Sequence, residues 1–192
     1  ELKFIELSEQ QEHISINGYE ITAFKVQHAV TCYGYSVNIP RIGKFDVNKA
    51  KQLNIPQNYW NKLQHGATIN HDGQVYTPDM VVGEARQGIK VTYCTDSRPV
   101  KAISDNAKNS DLFICEGMYG ESGKEAKAKE YKHMTFKEAA GLAKEAQVKE
   151  MWLTHYSPSL VRPIDYIDSI KDIFPDVYAA TDGRTAELIF KD

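Results

Sequence analysis

The sequence predicts a layered α/β fold, and three observations carry that reading. From "GIKVTYCTD" onward, short apolar runs alternate with amphipathic stretches of helical spacing. Before position 40 the chain reads as consecutive strands. Between them, roughly 40–85, hydrophobic periodicity is weak, as in an arm or insertion rather than a core layer.

In chain order, "ISINGYEITAFKVQHAV" gives two strands joined at Asn17-Gly18, a dipeptide that accepts the positive φ of a tight hairpin. The second strand alternates Ile21, Ala23 and Lys25 against Thr22, Phe24 and Val26, and runs into His28. "YGYSVNI" is a further strand. Asp46 caps a short helix over "VNKAKQLN", stopped by Pro56, and "NYWNKLQHG" is a second short helix ending at Gly66. "TINHDGQVYTP" is a small hairpin about Asp72-Gly73. Then follow the strand ending "VTYC", a helix over about 99–109, the strand "LFICE", a helix from Thr135 and the strand "EMWLTH". A helix over "PIDYIDSIKDIF" and a closing strand "AELIF" complete the pattern. Thr135 and Glu138 have capping-box spacing, and Phe136, Ala139, Ala140, Ala143 and Ala146 make one apolar helix face.

A chain of 192 residues with 42% hydrophobic and 26% charged side chains suits one domain with a substantial core, and no apolar run approaches the length of a membrane span. Cys32, Cys94 and Cys115 are odd in number and two fall in predicted strands, which suits buried free thiols in a reducing compartment, the cytoplasm. The net charge of −3 is unevenly spread. Between Pro40 and Gly66, Arg41, Lys44, Lys49, Lys51 and Lys62 face only Asp46, so that stretch is +4 and the remainder −7. A local basic stretch fits a phosphate-facing arm; on charge alone it fits a solvated helical surface equally well. The sequence begins at Glu1 and "ELKFIEL" reads as mid-protein sequence, from processing or from a longer chain.

The chemistry concentrates at strand ends. "VTYCTDSRP" closes an apolar run at Asp96, "MWLTHYSPS" closes another at His155, and His28 ends the second strand of the hairpin. His133 precedes the capped helix. Imidazole and carboxylate are donors that suit zinc, and a carboxylate can bridge two ions. Taken singly, each histidine is more often an ordinary core or surface residue; their joint position makes the pattern. There is no glycine-rich phosphate loop and no Cys-x-x-Cys, and "YGESG" around Ser122 lacks the spacing of a nucleophile elbow.

"FKVQHAVTCYGYSV", "GIKVTYCTDSRP", "ICEGMYG", "KHMTFKEAAGLAKEA" and "WLTHYSPS" occur here in the order seen in ribonuclease Z, and the resemblance covers essentially all of residues 1–192. It implies the metallo-β-lactamase fold, a four-layer αββα sandwich of which this chain resembles the C-terminal half with an inserted arm at about 40–85. It implies a metal-dependent endoribonuclease that removes the 3′ trailer of precursor tRNA, using two zinc ions or manganese, as a homodimer. His28, Asp96 and His155 match the family's metal ligands, Asp96 being the bridging carboxylate. His133 matches the histidine that assists at the scissile phosphate, and Glu116 the acid that orients it. The basic stretch occupies the place of the arm that grips the tRNA elbow.

The departures are equally specific. The family's His-x-His-x-Asp-His motif, source of further ligands and of the general base, is absent, so a partner segment carrying it is expected and the chain alone is expected to be inactive. Gln57-Asn58 stand where bacterial arms often carry Gly-Pro, Ser159 replaces a basic residue, and Cys115 replaces a histidine. Two other readings are another phosphodiesterase or hydrolase of the same fold, and a non-catalytic RNA-binding fragment.

Overall fold

The computed structural model describes residue 2 and residues 4–191; Glu1, on which the expectation of a mid-protein start rests, lies outside the described residues. The chain divides into two compact units, one of Ile89–Ile189 with the stretch before Pro40, the other of Pro40–Gly88 with the chain end from Phe190.

The larger unit is built on a sheet that starts as a meander. β1 (Gln11–Ile16) and β2 (Tyr19–Val26) form the expected hairpin, with Asn17 and Gly18 at φ 49° and 83°. β3 (Cys32–Arg41) returns antiparallel to β2. In the smaller unit, β4 (Ile69–His71) and β5 (Gln74–Tyr76) form a separate hairpin. β6 (Arg86–Cys94), β7 (Leu112–Glu116), β8 (Met151–Thr154) and β9 (Val177–Ala179) then run parallel to one another, giving the sheet order β1-β2-β3-β6-β7-β8-β9.

Register decides which residues share a face. Thr92, Phe113, Met151 and Val177 are aligned across the parallel strands, as are Cys94, Cys115, Leu153 and Ala179. Phe24, Cys94, Phe113, Cys115, Met151 and Leu153 pack with Ile103 of α3 (Lys101–Ala107) and Phe136, Ala139 and Ala143 of α5 (Phe136–Glu145) into one core. Gly34 has no room for a side chain there, because a Cβ would sit 2.5 Å from the Phe24 ring. The opposite face carries Tyr93, Ile114, Trp152 and Tyr178 in register, and Tyr93 and Tyr178 are 45% and 42% exposed. Arg184 stacks over both Trp152 and Tyr178, with its guanidinium 4.6 and 4.7 Å from the ring centres.

Two expectations are corrected. "AELIF" forms no strand; the sheet closes with Val177–Ala179, whose alignment with Met151–Leu153 takes the edge beside β8. The helix expected over "PIDYIDSIKDIF" is shorter, ending at Ile170, and is 3₁₀ in form over Pro163–Ile170. There Asp165 N–H donates to Arg162 O, and the Ser169 hydroxyl donates to Tyr166 O, local bonds that compete with the α-helical ladder. An unexpected short helix, α4 (Glu125–Tyr131), precedes α5 and ends at Lys132 in the left-handed region, φ 60°.

The smaller unit has its own core. Ala50 of α1 (Val47–Gln52), Leu63 of α2 (Gln57–Gln64), Ile55, Tyr76 and Val81 are buried together, with Phe45, Tyr59 and Trp60 against them. The Asp46 carboxylate caps α1 by accepting from Lys49 N–H at 2.9 Å. Gly43 is required by close approach, since a Cβ would sit 1.9 Å from Gly83 O. Lys44, Lys49, Lys51 and Lys62 are exposed. Among the described residues no helix is long and apolar enough to cross a membrane.

Candidate metal centre

The parallel strands place their C-terminal ends side by side, which is where open α/β sheets position ligand-binding groups. Asp96 follows β6, Glu116 is the last residue of β7, and His155 follows β8. Asp96 and His155 both adopt the left-handed backbone conformation, φ 51° and 55°. For a residue with a Cβ this costs about 1–2 kcal/mol, a strain that the surrounding bonds must hold.

These turns bring side chains together from distant parts of the sequence. His155 Nε2 stands 2.9 Å from Asp96 Oδ1. One ligand atom each from Asp96, His133 and His155 lies within 4.8 Å of the other two. His28 lies at the side of this trio, its ring centre 4.9 Å from that of His133, which is in turn 5.3 Å from that of His155. Of the expected site residues, Asp96, His155 and His133 thus share one cluster of ion-binding size, while His28 borders it through His133.

The donor set fits a metal ion. Asp96 Oδ1 is buried and takes no properly directed hydrogen bond, as expected of an oxygen aimed at a cation. His28 Nδ1 is 3.1 Å from Lys132 O; with the proton on that nitrogen it donates to the carbonyl and leaves the Nε2 lone pair outward, the arrangement typical of ligating histidines. Three imidazoles and a carboxylate are borderline donors that suit zinc or manganese.

Glu116 lies fully buried behind His133. Its two oxygens are 3.3 and 3.2 Å from His133 Nδ1, and they also accept Ser97 N–H and Met134 N–H. Burial pushes the Glu116 carboxyl up to about 7, with the backbone donors Ser97 and Met134 opposing. Burial, with the neighbouring His28, holds the His133 imidazole below its usual value, and Asp96 works the other way.

Several organising residues carried no signal of their own in the sequence. The Ser97 hydroxyl accepts Gln27 N–H at 3.1 Å, and Arg98 N–H donates to Gln27 O at 2.9 Å, tying the residue before His28 to the turn after Asp96. The Tyr156 hydroxyl bonds to Leu153 O and Ala180 O, bracing the turn at His155. Burial pushes the Tyr156 phenol up to about 12. Its burial is the dominant cause, with the Ala180 bond and Arg184 pulling the other way. Only the string "TDSRP" hinted at Ser97 and Arg98, and a string does not name its partners.

Comparison with known proteins bears on the fold first. Over 92% of the chain the structure matches a metallo-β-lactamase fold protein, YhfI from Bacillus subtilis, with a TM-score of 0.59 and 20% identity, covering 53% of that protein. It matches human tRNase Z, short form, over 90% of the chain and 45% of that protein, with a TM-score of 0.52 and 18% identity. The chain therefore has a metallo-β-lactamase fold. In sequence it is homologous to proteins named ribonuclease Z. The relative from Lachnospira eligens is 74% identical over 192 residues, all of this chain and 63% of the relative, and that from Agathobacter rectalis is 60% identical over 190 residues, 99% of this chain and 63% of the relative. The chain thus spans just under two thirds of the length of these curated relatives. No family model matches it.

Proposed function

We propose that this chain supplies part of the active site of a zinc-dependent endoribonuclease that removes the 3′ trailer of precursor tRNA by phosphodiester hydrolysis. The observation that carries the reading is the 74% identity to a ribonuclease Z along the whole chain, in which His28, Asp96, His133 and His155 converge. Asp96 and His155 would hold metal with His28. Bound there, zinc supplies Lewis acidity toward water and toward the phosphate oxygens at neutral pH.

The chain's own residues do the rest. His133 presents an imidazole edge to the reacting phosphate, and Glu116, bonded to its Nδ1, fixes the tautomer and the ring plane. With Nδ1 tied to the carboxylate, Nε2 is the atom that steadies the pentacoordinate phosphorus or passes a proton to the leaving 3′ oxygen. The arm at 40–85 grips the substrate through phosphates, using the basic side chains of its first part, 40–66. A companion segment carrying His-x-His-x-Asp-His supplies the remaining donors and the base, and the working form is a cytoplasmic homodimer.

One observation favours a second assignment: His133, not His28, lies in the trio of ion-binding size. In that version His133 Nε2 binds metal and Glu116 is its orienting carboxylate, a common arrangement around zinc. The experiment is a pair of variants in the chain fused to the missing motif. His28→Ala is expected to lose metal, and His133→Ala to keep it while kcat on precursor tRNA falls by about 10²–10⁴-fold, the usual range for a proton-transfer group. Metal loss in His133→Ala with retention in His28→Ala exchanges the two roles. A fused protein that binds metal and leaves precursor tRNA intact refutes the nuclease reading.

A further inference from the structure

The turn after Asp96 carries a side chain that reaches away from the metal cluster. The Arg98 guanidinium donates through Nη1 to the backbone oxygen of His133, and through Nη1 and Nη2 to the two oxygens of Glu138. Glu138 is itself committed: its Oε2 accepts Thr135 N–H at 2.9 Å and the Thr135 hydroxyl at 3.1 Å, closing the capping box of α5. The arginine side chain is 17% exposed and its charge is met by Glu138, so it is poorly placed to meet a phosphate. Its own N–H is bonded to Gln27 O, beside His28.

We propose that Arg98 is a positioning residue that sets the His133 imidazole against the reacting phosphate. Three segments meet at it: the turn bearing Asp96, the residue preceding His28, and the loop from His133 into α5. The bond to His133 falls on the carbonyl of the working residue itself. A planar guanidinium can bridge that carbonyl and a carboxylate at once, which an ammonium cannot. A helix cap alone would need neither the bond to His133 O nor the link to Gln27. Among the described residues, the other hydrogen-bonded link from the loop to this turn runs through the Glu116 carboxylate, which accepts both Ser97 N–H and Met134 N–H. A displacement of about 1 Å at a reacting group is enough to cost on the order of 10²-fold in rate.

The inference rests on the role given to His133 above, and a double-mutant cycle in the fused protein separates the two. Arg98→Met is expected to lower kcat by about 10- to 100-fold with KM within about twofold and zinc stoichiometry unchanged. In the His133→Ala background the same change is expected to cost less than about twofold, because there is no imidazole left to position. Glu138→Gln, which keeps an oxygen for the cap, is expected to show the same pattern more weakly, and serves if Arg98→Met folds poorly. An equal loss in both backgrounds, or loss of zinc in Arg98→Met, overturns the positioning role while leaving His133 in place. A His133→Ala protein with undiminished kcat overturns both readings together.

Discussion

Asp96 Oδ1 and His155 Nε2 stand 2.9 Å apart, each on a residue whose backbone is left-handed. Two strained turns at the ends of β6 and β8, the parallel strands flanking β7, aim a carboxylate oxygen and an imidazole nitrogen at one point, and the oxygen there is buried without a directed hydrogen bond. Strain and an unsatisfied buried acceptor are both costs in the metal-free fold. A cation held by the two groups would offset them.

That relationship gives a thermal test. Zinc binding only to the folded state raises stability by RT ln(1 + [L]/Kd), about 2.7 kcal/mol at a hundredfold excess over Kd. In the fused protein, zinc is expected to raise Tm for the unaltered sequence and to leave Asp96→Asn unmoved. Without metal, Asp96→Asn is expected to match or exceed the unaltered Tm, because an amide relieves the orphaned carboxylate. An equal zinc-induced rise in both proteins would remove Asp96 from the ligand set.

The Arg98–Glu138 pair predicts how stability follows pH. Burial alone would raise the Glu138 carboxyl, but the bonds from Arg98 and Thr135 outweigh it and hold the group below its ordinary value of 4.5. A carboxyl depressed on folding contributes stability that is fully present above its unfolded value and is lost as pH falls through the folded one. Denaturation midpoints are therefore expected to drop below about pH 4.5 in part through Glu138. Glu138→Gln is expected to flatten that acid limb and to lower stability mainly at neutral pH. A variant whose midpoint falls in parallel with the unaltered protein from pH 7 to pH 3 would contradict this assignment.

How far the site was legible in the sequence follows from the range of its contacts. Asp96 and His155 stood out because each ends a short apolar run, a local pattern that survives folding unchanged. The capping box at Thr135 and Glu138 was legible for the same reason, since both partners lie within one helical turn. Arg98 was not, because Gln27, His133 and Glu138 become its neighbours only through the sheet and α5. The closing strand was misassigned because Val177–Ala179 is only three residues long, while "AELIF" is longer and ends in the apolar run Leu188-Ile189-Phe190. Edge position is decided by the register with β8, which no local pattern reports.

The arm gives a prediction about substrate size. Ala50, Ile55, Leu63, Tyr76 and Val81 form a core separate from that of the larger unit, and four lysines project from its surface. Replacing residues 40–85 by a short linker in the fused protein is expected to weaken precursor-tRNA binding and to reduce the slope of log K against log salt, by about 0.9 per lost phosphate contact. Hydrolysis of a small phosphodiester is expected to persist. Parallel loss of both activities would make the arm a structural element and not a substrate grip.

The last prediction concerns the chain alone. Tetrahedral zinc needs about four donors per ion, and His28, Asp96, His133 and His155 cannot complete two such shells even with one bridging carboxylate. Tyr93 and Tyr178 are also left partly open on the sheet face away from α3 and α5, and an uncovered apolar face invites association. The isolated 192 residues are therefore expected to bind less than two equivalents of zinc, to leave precursor tRNA uncut and to self-associate in sedimentation. Adding the His-x-His-x-Asp-His segment is expected to restore two zinc ions, 3′ cleavage and a defined dimer together. An isolated chain that sediments as a monomer with two tightly held ions and full cleavage would show that the donors already described are sufficient.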